Sequence, residues 1–363
     1  MVLPDDDPQK WVYTEHTRFK HELLGKYLSG WTQILGSWNN TICFFDCFAG
    51  RGTYESKDGE IIYGSPIIAL QLAKRKKDKY GKFVFVLIEK NKNNYADLLQ
   101  TFKNEGWDKQ KIVVDFYNDE FHNIADQMLN YFKEEGGRLA PSFFFIDPFG
   151  FKGVPFPIVK EILEFPRTEV FFTFMSRDLV RFLNSEKHEY SCTELFGDGC
   201  WKEILDKENR EHALVELYMK KLKDDANVKY VLPLRVGADD TRSTTYYLIH
   251  ASNHFKALEL MTNIAYKLSN GRFGFYGPDD NQTTLSQFDD PIPKTKKYLL
   301  KNFSDSTNYF KDIIEKSYTD EKVFLHSSII RTTINIMKDE GKIELKDTGP
   351  KGGIKPNTVV RFL

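Results

Sequence analysis

Polar side chains follow four successive apolar segments that have the length of buried strands. They are Asp46, Glu89, the pair Asn118 and Asp119, and Asp147. Because ligands of open α/β sheets bind beyond the carboxyl ends of the strands, we expect these side chains to share one site. A carboxylate after the second strand is placed to hold ribose hydroxyls, and Asn118 and Asp119 could contact an adenine edge. The alternative for each position is an ordinary turn, in which Gly, Asp and Asn are favoured anyway.

The first of these turns, Asp46 to Thr53 with the sequence DCFAGRGT, has the most specific composition. Gly50 and Gly52 would let the backbone turn tightly and approach a ligand closely, because a Cβ there would clash with it. The turn, with Phe48 and Ala49 before its glycines, is therefore predicted to be a cofactor loop. A nucleotide-phosphate loop is a weaker interpretation, since the G-x-x-x-x-G-K-[ST] pattern is missing.

The elements that position these turns follow from apolar periodicity. Residues 1–40 contain a helix, predicted over 11–35, that packs on the following domain. From 41 to 270, strands alternate with helices, which predicts an α/β fold with an open, mostly parallel sheet, helices on both faces and an antiparallel edge. Residues 271–293 have the composition of a linker. Residues 294–363 predict three helices and a hairpin with a basic loop, the layout of a winged helix-turn-helix domain.

Composition excludes several classes of protein. The 363 residues are 41% hydrophobic and 28% charged, which is the range of globular proteins rather than of collagen-like or disordered chains. No apolar run reaches the roughly 18 residues that span a bilayer, and no signal peptide is predicted, so we expect a cytoplasmic protein without membrane contact. The four cysteines match no common zinc pattern, so no metal is expected and buried thiols are the default.

These turns together resemble class I S-adenosylmethionine-dependent methyltransferases, whose fold is a Rossmann-like sheet. Asp46 to Gly52 resembles their first motif, Glu89 their ribose-binding acid, Asp119 their adenine-side acid, and Asp147-Pro148-Phe149 their catalytic fourth motif. Nearly the whole chain is similar to the three-Cys-motif partner family, through its N-terminal helix, DCFAGRGTY, Gly64-Ser65-Pro66 and IDPFGFKG. The resemblance implies S-adenosylmethionine as cofactor and a Gp37-type, radical-SAM-like protein as a partner.

Within this resemblance, Asp147, Pro148 and Phe149 are the expected catalytic residues. Amino-methyltransferases use a turn with two prolines before the aromatic residue, whereas Phe149 replaces the second proline here. The stacking ring could therefore be Phe149 or Phe151, and the acceptor atom is left open. Tyr54, Phe151, Lys20 and His21 are candidate substrate contacts, although a solvated helix face is an alternative for Lys20 and His21.

The C-terminal segment is locally basic, while the whole chain has a net charge of -1. From residue 322 onward there are eight Lys and Arg but four acids. Arg331 and Thr332 on the third predicted helix, and Lys351 and Lys355 in the loop, are candidate nucleic-acid contacts. A protein-docking winged helix is the alternative. The sequence thus predicts a methyltransferase acting on nucleic acid or a modified nucleotide, or else a non-catalytic cofactor-binding or DNA-binding regulatory partner.

Overall fold

The chain forms two units, Met1–Pro278 and Asp279–Leu363. The computed structural model describes residues 13–56, 58–134, 138–237, 244–269, 274–275, 291–319 and 326–363. Of the predicted linker, 271–293, only 274–275 and 291–293 lie within these ranges. The start of the predicted N-terminal helix, residues 11–12, lies outside them.

Helices and strands alternate through the first unit, as the periodicity predicts. In chain order they are α1 (Glu15–Gly36), β1 (Thr41–Asp46), β2 (Thr53–Glu55), β3 (Ile61–Tyr63), α2 (Ser65–Lys76), β4 (Lys82–Ile88), α3 (Lys92–Glu105), β5 (Ile112–Tyr117), α4 (Phe121–Glu134), β6 (Ser142–Ile146), α5 (Phe156–Glu164), β7 (Thr168–Phe174), α6 (Ser176–Phe182), α7 (Glu189–Phe196), α8 (Arg210–Asp224), β8 (Tyr230–Gly237), β9 (Thr244–Ser252), α9 (Phe255–Leu268) and β10 (Gly274–Phe275). Short 3₁₀ helices occupy Glu186–His188 and Gly199–Ile204.

One eight-stranded sheet organises this unit, in the order β10-β8-β9-β7-β6-β1-β4-β5. The five strands β5, β4, β1, β6 and β7 are parallel to one another. β9 is antiparallel to both β7 and β8. The mixed α/β fold with a mostly parallel sheet is therefore confirmed, but the reversed strand lies inside the sheet rather than at its edge.

Both faces of the sheet are covered along its central strands. Every residue of β6 and β7 is buried. The rings of Phe45 and Phe144 stack across β1 and β6 with centroids 4.0 Å apart. On one face, α1 begins at the Thr14 cap and buries Leu23 and Trp31 completely or nearly so. The Phe side chains of β1, β4, β6 and β7 are thus all core residues.

The second unit contains α10 (Pro291–Phe303), β11 (Thr307–Tyr309), α11 (Phe310–Thr319), α12 (Ser327–Asp339), β12 (Ile343–Lys346) and β13 (Val359–Phe362). The three predicted helices and the predicted hairpin are present. A third strand, β11, was not predicted, and it pairs antiparallel with β13 to give the sheet order β11-β13-β12.

Candidate functional site

The glycine loop after β1 has the conformation that its sequence predicts. Gly50 and Gly52 have φ values of 61° and 80°, in the left-handed region that favours glycine. At Gly52 a Cβ would also lie 3.1 Å from the Leu98 side chain of α3. The loop is followed by the β2–β3 hairpin, and the amide of Gly64 closes it by donating to the carbonyl of Gly52 at 2.8 Å.

Asp46 ends β1 directly beneath this loop and is completely buried. Neither carboxylate oxygen makes a hydrogen bond of normal geometry within the described residues. Burial raises the pKa of Asp46 to about 7, although the nearby Ser65 hydroxyl and the Phe48 amide act in the opposite direction. A buried polar group without a regular partner is costly, and Asp46 lines neither of the two cavities described below.

Glu89, at the end of β4, holds the glycine loop through backbone hydrogen bonds. One of its oxygens accepts from the amide of Gly50 at 2.8 Å, and the other accepts from the amide of Asn91 at 2.7 Å. Each oxygen of a carboxylate can accept more than one hydrogen bond, so a bond from a backbone amide does not by itself exclude a hydroxyl donor.

Asn118 and Asp119 follow β5, as predicted, but they differ in position. The amide group of Asn118 donates to the carbonyls of Glu89 and Lys90 at 2.8 and 3.1 Å. Asp119 accepts from the Asn123 side chain and from the Glu120 amide, which together lower its pKa. Asp119 lines the larger of the two cavities described next, whereas Asn118 stabilises the turn after Glu89 through its hydrogen bonds.

Two adjoining cavities lie at the carboxyl ends of the parallel strands. The larger, of about 770 Å³, is lined by Glu89 and Asp119. The smaller, of about 380 Å³, is lined by Gly50 and Asp147. The residues lining both are Phe48, Pro148, Phe149, Gly150 and Asp178. Both volumes fall in the range of about 300 to 1,000 Å³ typical of small-molecule sites.

Asp147 projects into the smaller cavity and pairs with Lys20 from α1. The ammonium nitrogen lies 2.5 Å from a carboxylate oxygen, and the two side chains are 9% and 15% exposed. Lys20 also lies over the Tyr246 ring at 5.6 Å. The solvated-face alternative is therefore wrong for Lys20, because the helix face that carries it packs against the sheet and not against water.

His21 occupies the same buried face but does not line either cavity. It is 2% exposed, and its ring lies 5.6 Å from that of Tyr13 and 5.3 Å from that of Tyr54. Burial and the charge of Lys20 lower its pKa to about 3, so the ring is neutral. A solvated face is wrong for His21 as well, and its position supports Tyr54, which does line the smaller cavity.

The two candidate stacking rings of the fourth turn have different surroundings. Phe149 is 47% exposed and lines both cavities. Phe151 is 4% exposed and packs against Phe182 and His188, with only an edge on the larger cavity. Phe149 is thus the accessible ring.

Several lining residues were not anticipated from the sequence. Tyr246 comes from the reversed strand β9, and Met175 and Asp178 come from the start of α6. Since β9 is antiparallel, its amino end meets the carboxyl ends of its neighbours, and Tyr246 lies near that end. The direction of β9 is therefore the information that would have placed Tyr246 at this site.

The four candidate nucleic-acid contacts lie in the second unit. Thr332 on α12 and Lys351 and Lys355 in the β12–β13 loop are exposed. The guanidinium of Arg331 lies 5.0 Å from the centroid of the Phe310 ring. These residues all belong to the second unit of the chain.

Within the described residues, no cluster of three or more His, Cys, Asp or Glu could hold a metal ion. Within the same ranges, no helix has the length and apolar character that crossing a membrane requires. Cys47 beside the glycine loop is 1% exposed within the apolar core, and burial raises the pKa of its thiol.

Comparison with known proteins finds no matching family model and no matching curated protein sequence. Several solved structures are similar to this chain at low sequence identity. An O-methyltransferase from Bacillus cereus in complex with SAH is 13% identical, with a TM-score of 0.34, over 63% of this chain and 80% of that one. Trm1 from Pyrococcus horikoshii with S-adenosyl-L-methionine is 12% identical, with a TM-score of 0.35, over 99% of this chain and 93% of that one. A Legionella pneumophila protein of family DUF519 is 13% identical, with a TM-score of 0.45, over 72% and 94%.

Proposed function

We propose that the protein is an S-adenosylmethionine-dependent methyltransferase that acts on a nucleic-acid base or a modified nucleotide. The observation that carries the proposal is the pair of adjoining cavities at the carboxyl ends of the strands. A transferase must hold two reactants next to each other, since most of the acceleration comes from their positioning. The shared wall of Phe48 and Pro148 gives the two cavities the adjacency that transfer requires.

The residues around the larger cavity and the glycine loop suit this cofactor. Glu89 would accept hydrogen bonds from ribose hydroxyls, and Asp119 would contact the adenine side. Asp46 would act from beneath the glycine loop, since it lines neither cavity itself. Asn118 contributes by holding the turn of Glu89. When bound, S-adenosylmethionine supplies a methyl group activated on a positively charged sulfur.

The smaller cavity has the side chains that an amine acceptor on a flat ring needs. Asp147 can accept a hydrogen bond from the amine N–H and so orient the nitrogen lone pair. Lys20 holds that carboxylate in place through their ion pair and so acts as a positioning residue. The exposed ring of Phe149 offers a stacking surface, and such stacking is worth about 1 to 3 kcal/mol per base. Tyr54 and Tyr246 complete an aromatic wall.

The test is transfer of label from methyl-labelled S-adenosylmethionine to separate fractions of DNA, RNA and nucleotides. We expect saturable cofactor binding by calorimetry, with a dissociation constant of about 1 μM to 1 mM. Asp147→Asn should abolish transfer while binding persists, and Glu89→Gln should weaken binding. Asp126→Asn, an exposed acid on α4, is the matched control.

The outcomes separate the proposal from its competitor. Absence of cofactor binding by the wild-type protein would refute the proposal. Binding without transfer to any fraction would favour the non-catalytic, regulatory function. That second function has one observation in its favour: Phe149 stands where amino-methyltransferases have a second proline.

We further propose that the second unit is a winged helix-turn-helix domain that contacts nucleic acid. The helix order and the three-stranded sheet β11-β13-β12 support it, together with the exposed Lys351 and Lys355 in the loop. Replacing both lysines by Ala should weaken binding uniformly across sequences and reduce the salt dependence by about two phosphate contacts. Lys301→Ala, an exposed site on α10, serves as the control. An unchanged salt slope, with capture of the Gp37-type partner instead, would favour protein docking.

A further inference from the structure

A third cavity lies at the opposite end of the sheet from the proposed active site. It has a volume of about 170 Å³ and is enclosed by α1, α9 and the connection from α5 to β7. Its walls are mostly apolar and include Trp31, Leu35, Leu163 and Leu260. None of these residues lines the two cavities of the proposed transferase.

The polar group that distinguishes this cavity is the carboxylate of Glu169, at the start of β7. One of its oxygens accepts hydrogen bonds from the Tyr27 hydroxyl and, at 3.0 Å, from the His250 ring. No other donor to Glu169 is found in the described ranges. The side chain is 7% exposed and Glu169 lines the cavity, so a ligand in that space would lie next to this carboxylate.

A buried carboxylate with an unused oxygen is stabilised by a cation or a charge-assisted hydrogen bond. Burial and the charge of Glu169 hold the pKa of Tyr27 well above its usual range, so the phenol stays a neutral donor. The indole of Trp31, which is 3% exposed, adds an aromatic wall of the kind that attracts ammonium groups. Two other buried polar atoms there, the Trp31 indole nitrogen and the Thr168 hydroxyl, have no hydrogen bond within the described residues.

Size restricts the ligand further. A cavity of about 150 Å³ accommodates a benzene molecule, so 170 Å³ holds one ring with a short substituent. The charged residues Arg167 and Lys256 lie at the exposed rim, where they would disfavour a long cationic chain.

We propose that this cavity is a binding site for a small primary amine with an apolar body, whose ammonium group meets Glu169 and whose body fills the space between α1 and α9. The site is separate from the transferase cavities, so the inference does not depend on the proposed function. The carboxylate of Glu169, the aromatic ring of Trp31 and the small volume of the cavity together define this class of ligand.

Benzylamine is the probe, with benzyl alcohol as its neutral isostere and benzoate as the anionic one. Binding to the full chain is measured by ligand-observed NMR and by quenching of tryptophan fluorescence. We expect saturable binding of benzylamine at least about tenfold tighter than that of benzyl alcohol, and no binding of benzoate. Glu169→Gln should remove that preference by weakening benzylamine to the level of the alcohol.

A second variant keeps the test independent of the buried hydrogen bonds around Glu169. Ala257→Phe places a ring into the cavity from α9 and should abolish binding of both benzylamine and benzyl alcohol. Lys267→Phe adds the same ring at an exposed position of α9 and should leave binding unchanged, provided that both variants melt cooperatively. Equal affinity for amine and alcohol, no saturable binding of benzylamine, or unchanged binding by Ala257→Phe would each overturn the proposal.

Discussion

The pair of Lys20 and Asp147 can be tested by a double-mutant cycle with Lys20→Met and Asp147→Asn. At 2.5 Å and an effective dielectric constant of about 20, the attraction between the two charges is about 7 kcal/mol. Side chains that are 9% and 15% exposed lose most of their hydration, which cancels several kcal/mol of that attraction. We therefore expect a coupling energy of about 2 to 4 kcal/mol, in the range measured for close charge pairs.

The assay is urea unfolding of the wild type, both single variants and the double variant, at neutral pH. Lys20→Met should destabilise strongly, because it leaves the Asp147 carboxylate buried without its cation, while the double variant should recover much of the loss. Lys26→Met, the same substitution at an exposed site of α1, should change the free energy of unfolding by less than about 0.5 kcal/mol. A coupling energy below about 0.5 kcal/mol would refute the buried ion pair.

The Lys20→Met variant also has an expected effect on methyl transfer. Lys20→Met should reduce methyl transfer by about tenfold to a hundredfold, since a misplaced reacting group costs that much, while cofactor affinity stays within about twofold. Equal loss of transfer and of cofactor affinity would mean that Lys20 supports the whole site rather than Asp147.

Three further predictions concern single positions. Asp46 has a raised pKa, so the folded protein binds more protons than the unfolded chain between pH 4 and about 7. As the pH rises through that window, the wild type should lose on the order of 4 kcal/mol of stability relative to Asp46→Asn, as measured by urea unfolding at a series of pH values. His21 has a lowered pKa, so its effect on stability has the opposite sign. As the pH rises from about 3 to 6.5, the wild type should gain on the order of 5 kcal/mol in the free energy of unfolding relative to His21→Phe. A stability difference that does not change with pH would contradict the neutral buried ring. Gly52→Ala should destabilise by more than Gly106→Ala, because both have positive φ but only Gly52 has a side chain 3.1 Å from the added carbon; equal losses in thermal melts would assign the cost to φ alone.

The sheet was largely predictable because its strands are unbroken apolar runs. Phe83 to Ile88 and Ser142 to Ile146 cannot lie at a surface, and the helices between them have regular apolar spacing. The β2–β3 hairpin was not predicted, since three-residue strands are too short to show alternation. Its position nevertheless decides where Tyr54 lies.

The candidate site was predictable only where it is local in sequence. The conformation of Gly50 and Gly52 follows from residue type, and strand ends converge in any parallel sheet. The contact of Lys20 with Asp147 joins residues 127 positions apart, and no periodicity contains that information. The sequence of α1 alone does not show that the face carrying Lys20 is buried, because the strands that cover this face come from later segments of the chain.

The N-terminal helix α1 has a practical consequence for any minimal version of this protein. A chain shortened to begin at Thr41 would retain every strand of the sheet, yet it would lack Lys20 in one cavity and Tyr27 in the other. Removing α1 would also uncover the apolar surface against which Leu23 and Trp31 pack, and such a patch promotes aggregation. The smallest chain that can be expected to fold as this unit does therefore has to include this helix.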